Sequence, residues 1–310
     1  MSYASSAMGG CYKNFGFVEV VRPFGRKVVV LGGDFRQILP VISKGSRADI
    51  VGSTVTSSYL WKYCKVGDGT IDTIDEDETT IEIPSDLLIG QGPDPLLELV
   101  NFAYPDLVAN LESDSYFQER AILAPTLESV EHVNNYILSK LPGVEREYLS
   151  YDTPCRSDED SEVHAGWLTS EFLNDVQCSG IPNHRLILKE GVPIMLLRNI
   201  DQAGGIMLGK TEYILRITLT PSDSGLPFKF SRRQFLVTLC FAMTINKSQG
   251  HSLSHVGLYL PMPVFTHGQL YVALSRVKSR IGLKVLIVDE QGVVSTSTRN
   301  VVYKKVFENV

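Results

Sequence analysis

No run of apolar residues in this chain approaches the ~20 that a membrane-spanning helix needs, so an integral helical membrane protein is not expected. Cysteine is scarce as well. Its five copies, Cys11, Cys64, Cys155, Cys178 and Cys240, are dispersed with no CxxC pair. An odd, scattered set does not make a disulfide framework, and the close ligand spacing of a zinc site is missing. They read as free thiols in a reducing compartment. Met1-Ser-Tyr-Ala-Ser-Ser-Ala lacks the basic start and apolar core of a secretory signal, so secretion is not expected. There is no internal repeat. Positive charge is absent from the whole stretch between Lys65 and Arg120, whereas Asp75-Glu-Asp-Glu78 sits inside it. That cluster reads as a solvated loop and not as a metal site.

The formal net charge of −6 therefore hides a segregation. From Arg185 onward basic residues dominate, among them Lys229, Arg232, Arg233, Lys247, Arg276, Lys278, Arg280, Lys284, Lys304 and Lys305. A basic half can hold phosphates in an acidic chain, although solvated surface accounts for the same charges.

Lys27-Val-Val-Val-Leu31 reads as a strand with a sharp exit at Gly32-Gly-Asp-Phe-Arg-Gln-Ile-Leu-Pro40. Ala48 to Tyr63 has the spacing of an amphipathic helix, 67 to 92 reads as a loop, and Pro95 to Tyr104 as a short helix. Arg120 to Ala124 is a strand entering a helix at Leu127 to Leu141, with Thr126 placed as its cap and Glu128 in the first turn. Ser150 to Glu162 is polar and loop-like. Leu186 to Leu197 holds two apolar runs split by a glycine turn, a hairpin or a small β-module. Residues 212 to 241 are strand-rich with a turn at 221 to 225, and Val256 to Leu260 and Lys284 to Val288 are the last strands. In a parallel α/β sheet, polar residues where such buried strands end line a site. Here those are Thr244-Ile-Asn-Lys-Ser-Gln-Gly-His-Ser-Leu253 and Tyr271-Val-Ala-Leu-Ser-Arg-Val277.

Gly204-Gly-Ile-Met-Leu-Gly-Lys-Thr211 spells a phosphate-binding P-loop, and Val285-Leu-Ile-Val-Asp-Glu290 spells a strand ending in magnesium carboxylates. A working P-loop needs a helix after its lysine, whose first amides cradle phosphate. Glu212-Tyr-Ile-Leu-Arg-Ile-Thr-Leu is strand-like instead, so a hairpin turn is expected there.

Gly32 to Val41, Thr244 to Gly250 and Tyr271 to Ser279 together resemble three motifs, in family order, of the petite-integration-frequency (Pif-type) superfamily-one DNA helicases, especially the Helitron-related group. The resemblance runs from about residue 22 onward, the C-terminal part of the family pattern. It implies an α/β, RecA-like P-loop NTPase architecture: a remnant of a first motor domain at 1–118, a second at 119–165 and 235–310, and a shortened β-module inserted at 166–234. In such helicases ATP and magnesium bind between two motor domains that translocate 5′ to 3′ on single-stranded or forked DNA, in repair, recombination and telomere maintenance. Carried over by motif, Asp34 and Gln37 would sense the γ-phosphate, Arg276 would be the arginine finger, and Arg120 a further nucleotide contact. Thr244, Asn246, Lys247 and Ser248 would meet the DNA backbone, with Gln249 and Gly250 coupling DNA to nucleotide.

Against the family pattern, the 31 residues before Gly32 hold neither a glycine-rich phosphate loop nor an acidic strand end. Two readings follow. One is a helicase-family chain inactive alone, its P-loop supplied elsewhere and its work nuclear. The other is a non-catalytic module that binds single-stranded DNA.

Overall fold

The computed structural model describes residues 37–39, 42, 45–53, 78–155, 169–176, 178, 180–197, 213–221, 226, 228–289 and 291–303. The strand expected at 27–31, Asp34 and most of its motif, the acidic cluster at 75–77, the P-loop-like 204–211 and the turn at 222–225 lie outside them. The chain divides into two compact units: Met1–Phe35, Leu39–Ile74 and Lys304–Val310 form one, Arg36–Ile38 and Asp75–Tyr303 the other. In the first, α1 (Arg47–Gly52) starts on a capping box. The Ser46 hydroxyl accepts from Asp49 N at 3.3 Å, and the Asp49 carboxylate accepts from Ser46 N at 2.8 Å. The helix ends at Gly52 with Ser53 as its C-cap, short of the expected end at Tyr63, and residues 54–63 lie outside the described residues.

The second unit is built on a five-stranded sheet. β2 (Arg120–Ala124) lies between β10 (Ala242–Thr244) and β11 (His255–Leu260), both parallel to it, and β12 (Leu283–Val288) continues parallel beyond β11. β13 (Val294–Ser295) closes the edge antiparallel to β12. Successive residues of β2 point to opposite faces, and each face has its own core. Ile122 and Ala124 pack with α2 (Pro95–Ala103), through Leu99, Val100 and Ala103, and with α4 (Leu127–Lys140), through Val133, Ile137 and Leu138. Ala121 and Leu123 share the other core with Val256, Leu258, Val285 and α6 (Gln269–Ser275), which contributes Leu270, Val272 and Ala273. Each fully buried aliphatic side chain is worth roughly 1.5–3 kcal/mol against exposure, and this burial holds the sheet.

Sequence detail sets the fit. Thr126 caps α4 by accepting from Ser129 N, as expected. Its far end is closed by Lys189, whose buried ammonium donates to Leu138 O at 2.8 Å and Leu141 O at 2.7 Å. On β11, Gly257 admits α2: a Cβ there would sit 3.1 Å from Leu99 Cγ. At Gly282 a Cβ would fall 2.0 Å from Ser254 O, so the chain entering β12 passes too close to tolerate any side chain.

Two stretches read as loops contain strands. Within 67–92, β1 (Glu78–Glu82) pairs antiparallel with β14 (Ser297–Val301), because Ile81 and Ile83 alternate inward beside charged neighbours. This pairing and the packing of α2 on the sheet fall within one compact unit, Arg36–Ile38 with Asp75–Tyr303.

Within 150–162, β4 (Tyr151–Pro154) is the other unexpected strand. It pairs with β8 (Phe230–Phe235), which pairs in turn with β7 (Arg216–Leu219). β3 (Arg146–Leu149) pairs with β5 (Arg185–Leu188), and β6 (Ile194–Leu196) with β9 (Val237–Leu239). The two apolar runs of 186–197 therefore make no hairpin with each other, and the β-module takes in strands on both sides of 166–234. Its apolar core gathers Leu173 from α5 (Ser170–Asp175), Ile181, Leu219, Phe228, Phe230 and Leu236.

Arg232, one of the basic residues of the C-terminal half, is fully buried in this module. Its Nε donates to both Asp152 oxygens at 3.1 and 2.9 Å, and its Nη2 to Asp152 Oδ2 at 2.7 Å. The remaining donors reach Leu173 O, Val176 O and Pro182 O. The fork leaves nothing for a phosphate. β4 is a strand despite its polar sequence because Asp152 needs this partner. Arg232→Ala is expected to destabilise the unit by about 3–5 kcal/mol, since it strands a buried carboxylate. Urea unfolding should show strong coupling to Asp152→Ala in a double-mutant cycle, and independent losses would refute the pairing as a stability determinant.

Candidate functional site

Two rims of the parallel sheet carry the residues singled out by sequence. At the rim where β10 ends, Thr244 opens a single 3-10 turn, Ile245–Ser248, and its Oγ1 accepts from Lys247 N at 3.4 Å. Fully buried Ile245 pins this turn to the core. Ser248, expected to touch DNA, is also fully buried, and its hydroxyl donates to Ile245 O at 2.7 Å. It holds the turn from within. Lys247 is exposed and Asn246 half-buried, so they are the side chains this turn offers outward.

Asn246 is held by a residue that sequence reading passed over. Gln269, wholly buried at the start of α6, donates through Nε2 to Asn246 Oδ1 and to Pro125 O, each at 3.3 Å, and accepts from Phe265 N at 3.1 Å. The available signal was a glutamine on the apolar face of a helix that otherwise reads Leu-Tyr-Val-Ala-Leu.

After the turn, Gln249 Nε2 donates to Gln37 Oε1 at 2.8 Å, bringing together two residues proposed for nucleotide contact that are far apart in sequence. Gly250 follows with φ 88°, a left-handed conformation that glycine adopts without strain. The chain then runs back along α6. Leu253 N donates to Arg276 O at 2.8 Å and Lys278 N to Leu253 O at 2.8 Å. The two sequence motifs are thus zipped together by a parallel bridge between Leu253 and Val277.

Arg276 is 9% exposed. Its Nε donates to Val272 O at 3.1 Å, Nη1 to His251 O at 3.2 Å and Nη2 to Ser275 Oγ at 2.8 Å. All three acceptors are neutral. A nearly buried guanidinium held by neutral oxygens keeps its charge uncompensated by them, and an anion would satisfy it. Arg120 lies elsewhere. It begins β2, beside His255 on β11, whereas Thr244 and Gln269 stand where β10 and β2 end. Its Nη1 donates to Tyr116 O at 3.1 Å, its guanidinium lies 4.5 Å from the centre of the Tyr116 ring, and its buried Nε has no partner.

Much of the basic character of this half is already committed. Lys278 pairs with Glu119 at 2.7 Å, and Arg280 grips both oxygens of Asp86 at 2.9 Å. Lys278, then the Ser254 hydroxyl, hold the Glu119 carboxyl below its ordinary pKa. Asp289, from the acidic strand end of the P-loop-like pair, shapes the turn from β12 to β13: its Oδ1 accepts from Gln291 N at 3.0 Å and Val293 N at 2.7 Å. The described residues after the P-loop-like stretch, 213–221, contain β7 and no helix.

His255 is held below the ordinary imidazole pKa, first by burial and then by the Arg120 charge, with Glu119 opposing. The unfolded chain therefore takes up this proton more readily than the folded one. Stability is complete above the unfolded value of about 6.5 and declines as pH falls below it toward the folded value. Asp86, Asp94 and Glu119, all held low, act only at more acid pH. Between pH 7.5 and 5.5 the thermal midpoint of His255→Gln should fall less than that of the wild type. Equal falls would contradict the assignment.

Comparison with known proteins finds partial matches to one group of helicases. The family model described as PIF1-like helicase matches residues 13–72, and that of the DNA helicase Pif1 2B domain matches 171–216, which spans α5, β5 and β6. The ATP-dependent DNA helicase PIF1 of Danio rerio is 26% identical over 314 residues, covering 91% of this chain and 44% of the relative. That of Rattus norvegicus is 29% identical over 294 residues, covering 86% and 42%. The chain spans less than half the length of these relatives. Among solved structures, a Bacteroides Pif1 bound to single-stranded DNA aligns with TM-score 0.44 and 21% identity over 89% of this chain and 66% of that one. Candida albicans Pif1 helicase aligns with TM-score 0.41 and 22% identity over 70% and 57%. Over these two segments, and across most of its length, the chain is similar to Pif1-type DNA helicases.

Proposed function

We propose that this chain supplies the DNA-coupling half of a Pif1-type DNA motor and that the 310-residue chain by itself binds single-stranded DNA without hydrolysing ATP. The observation that carries the reading is the turn after β10. Exposed Lys247 and half-buried Asn246 stand on a segment fixed by buried Ile245, Ser248 and Gln269, and the same segment continues through Gln249 to the carbonyl that holds Arg276. The relatives' name, ATP-dependent DNA helicase, supports DNA as the polymer.

For ATP and magnesium the described residues offer a partial fit. The Gln37 and Gln249 amides and the Arg276 guanidinium suit a terminal phosphate, Asp34 belongs to the same motif as Gln37, and ATP would bring the leaving phosphate that such an arginine neutralises. Among the described residues no group of three His, Cys, Asp or Glu is placed to hold the metal. The phosphate cradle and metal ligands of an active motor would come from residues beyond these, in the same polypeptide or a second chain. Acting on forked DNA, in repair, recombination or telomere maintenance in the nucleus, is the setting this reading implies.

Fluorescence anisotropy with a labelled oligothymidylate tests it. Affinity should fall steeply with salt and be unaffected by ATP, and Lys247→Ala should lower the slope of log K against log salt by about 0.7–1. ATP-dependent strand separation by the 310-residue chain would defeat the proposal. ATP hydrolysis abolished by Lys210→Ala would instead revive the stretch at 204–211 as a phosphate loop.

A further inference from the structure

We propose that Gln269 is the positioning residue of the DNA-facing turn, acting through Asn246 to fix which end of its amide points outward. This rests on the reading of that turn as a single-stranded DNA contact.

A primary amide is polar at both ends, one donating and one accepting, and rotation by half a turn exchanges them. At Gln269 the surroundings decide. Phe265 N presents a donor, so the oxygen must face it, while Pro125 O and Asn246 Oδ1 lie at the other end. Pro125 O can only accept, so the nitrogen must face it. Both protons of Nε2 are used, and the side chain is wholly buried, with no water to replace a lost partner.

The orientation passes to Asn246. Because a donor approaches it from the interior, Asn246 turns its oxygen inward, and its NH2 group is left for the solvent side. That group would offer two N–H donors on the same turn as exposed Lys247. Phosphodiester oxygens only accept hydrogen bonds, so this polarity suits a DNA backbone, and the reversed amide would set an oxygen against it. The three partners of Gln269 come from the end of β2, the turn after β10 and the loop after β11. One buried side chain thus registers three segments of the rim.

The test is a double-mutant cycle on single-stranded DNA affinity, with thermal unfolding run alongside. Gln269→Met keeps the length and removes the polarity. It should weaken binding roughly threefold to tenfold, the equivalent of about one hydrogen bond, and leave the salt slope unchanged because Lys247 is untouched. Combined with Asn246→Ala it should add almost nothing to the loss caused by Asn246→Ala alone, whereas its effect should multiply with that of Lys247→Ala. Unaltered affinity in Gln269→Met, or losses that multiply with Asn246→Ala, would overturn the proposal. Should Gln269→Met fail to fold, Asn246→Ala on the half-exposed turn still decides, because full affinity there leaves Gln269 nothing to act through. Wild-type chain that does not bind DNA would overturn the functional reading itself, a result separable from wild-type binding with Gln269→Met unaffected.

Discussion

A parallel sheet buried on both faces leaves no side chain along its strands free to do chemistry, and this confinement governs the unit. Ile122 and Ala124 are consumed by one core, Ala121 and Leu123 by the other. Polar groups can stand only where strands begin or end. α6 then matters beyond its packing, because its seven residues, ~10 Å of helix, run from one such place to another. Its first residue, Gln269, holds the turn after β10. The residue after its end, Arg276, is held by the carbonyl of His251 farther along that same segment. Asn246 and Arg276 are thus both hydrogen-bonded to residues of α6.

The β-module obeys a different rule. Its apolar core is small, and a polar group stands at its centre. Arg232 spends every donor on Asp152 and three backbone carbonyls from α5 and the segment after it. Beside it, buried Gln234 donates to Tyr148 O and His184 O, tying β3 to the start of β5. Directional bonds of this kind fix register between short strands that hydrophobic contact alone would leave free to slip.

This division explains what could be read in advance. β2, α4 with its Thr126 cap, β11 and β12 were legible because they are apolar and sharply bounded, and a buried parallel strand leaves that mark on a sequence. β1 and β4 were not. Each is a short, mostly polar strand whose partner lies far along the chain, and nothing local distinguishes Asp152 in a strand from Asp152 in a loop. The burial of Arg232 was not legible for the same reason: burial of a guanidinium depends on acceptors supplied by distant residues. At the candidate site the resemblance singled out Asn246, Lys247 and Arg276 as expectations. It could not reveal that Ser248 faces inward, that Lys278 is answered by Glu119, or that a buried glutamine orients Asn246.

The strand order also carries a consequence for the chain's own birth. β2 is a central strand, yet both of its neighbours, β10 and β11, are synthesised only after the whole β-module has been made. β1 waits longer still, for β14. Closing such long loops is slow, and in the interval Ile122 and Leu123 lie along two unpaired strand edges. A nascent chain emerging at a few to tens of residues per second would carry that exposed strand for many seconds. The module can complete its own sheets meanwhile, whereas the parallel sheet waits for its last strands.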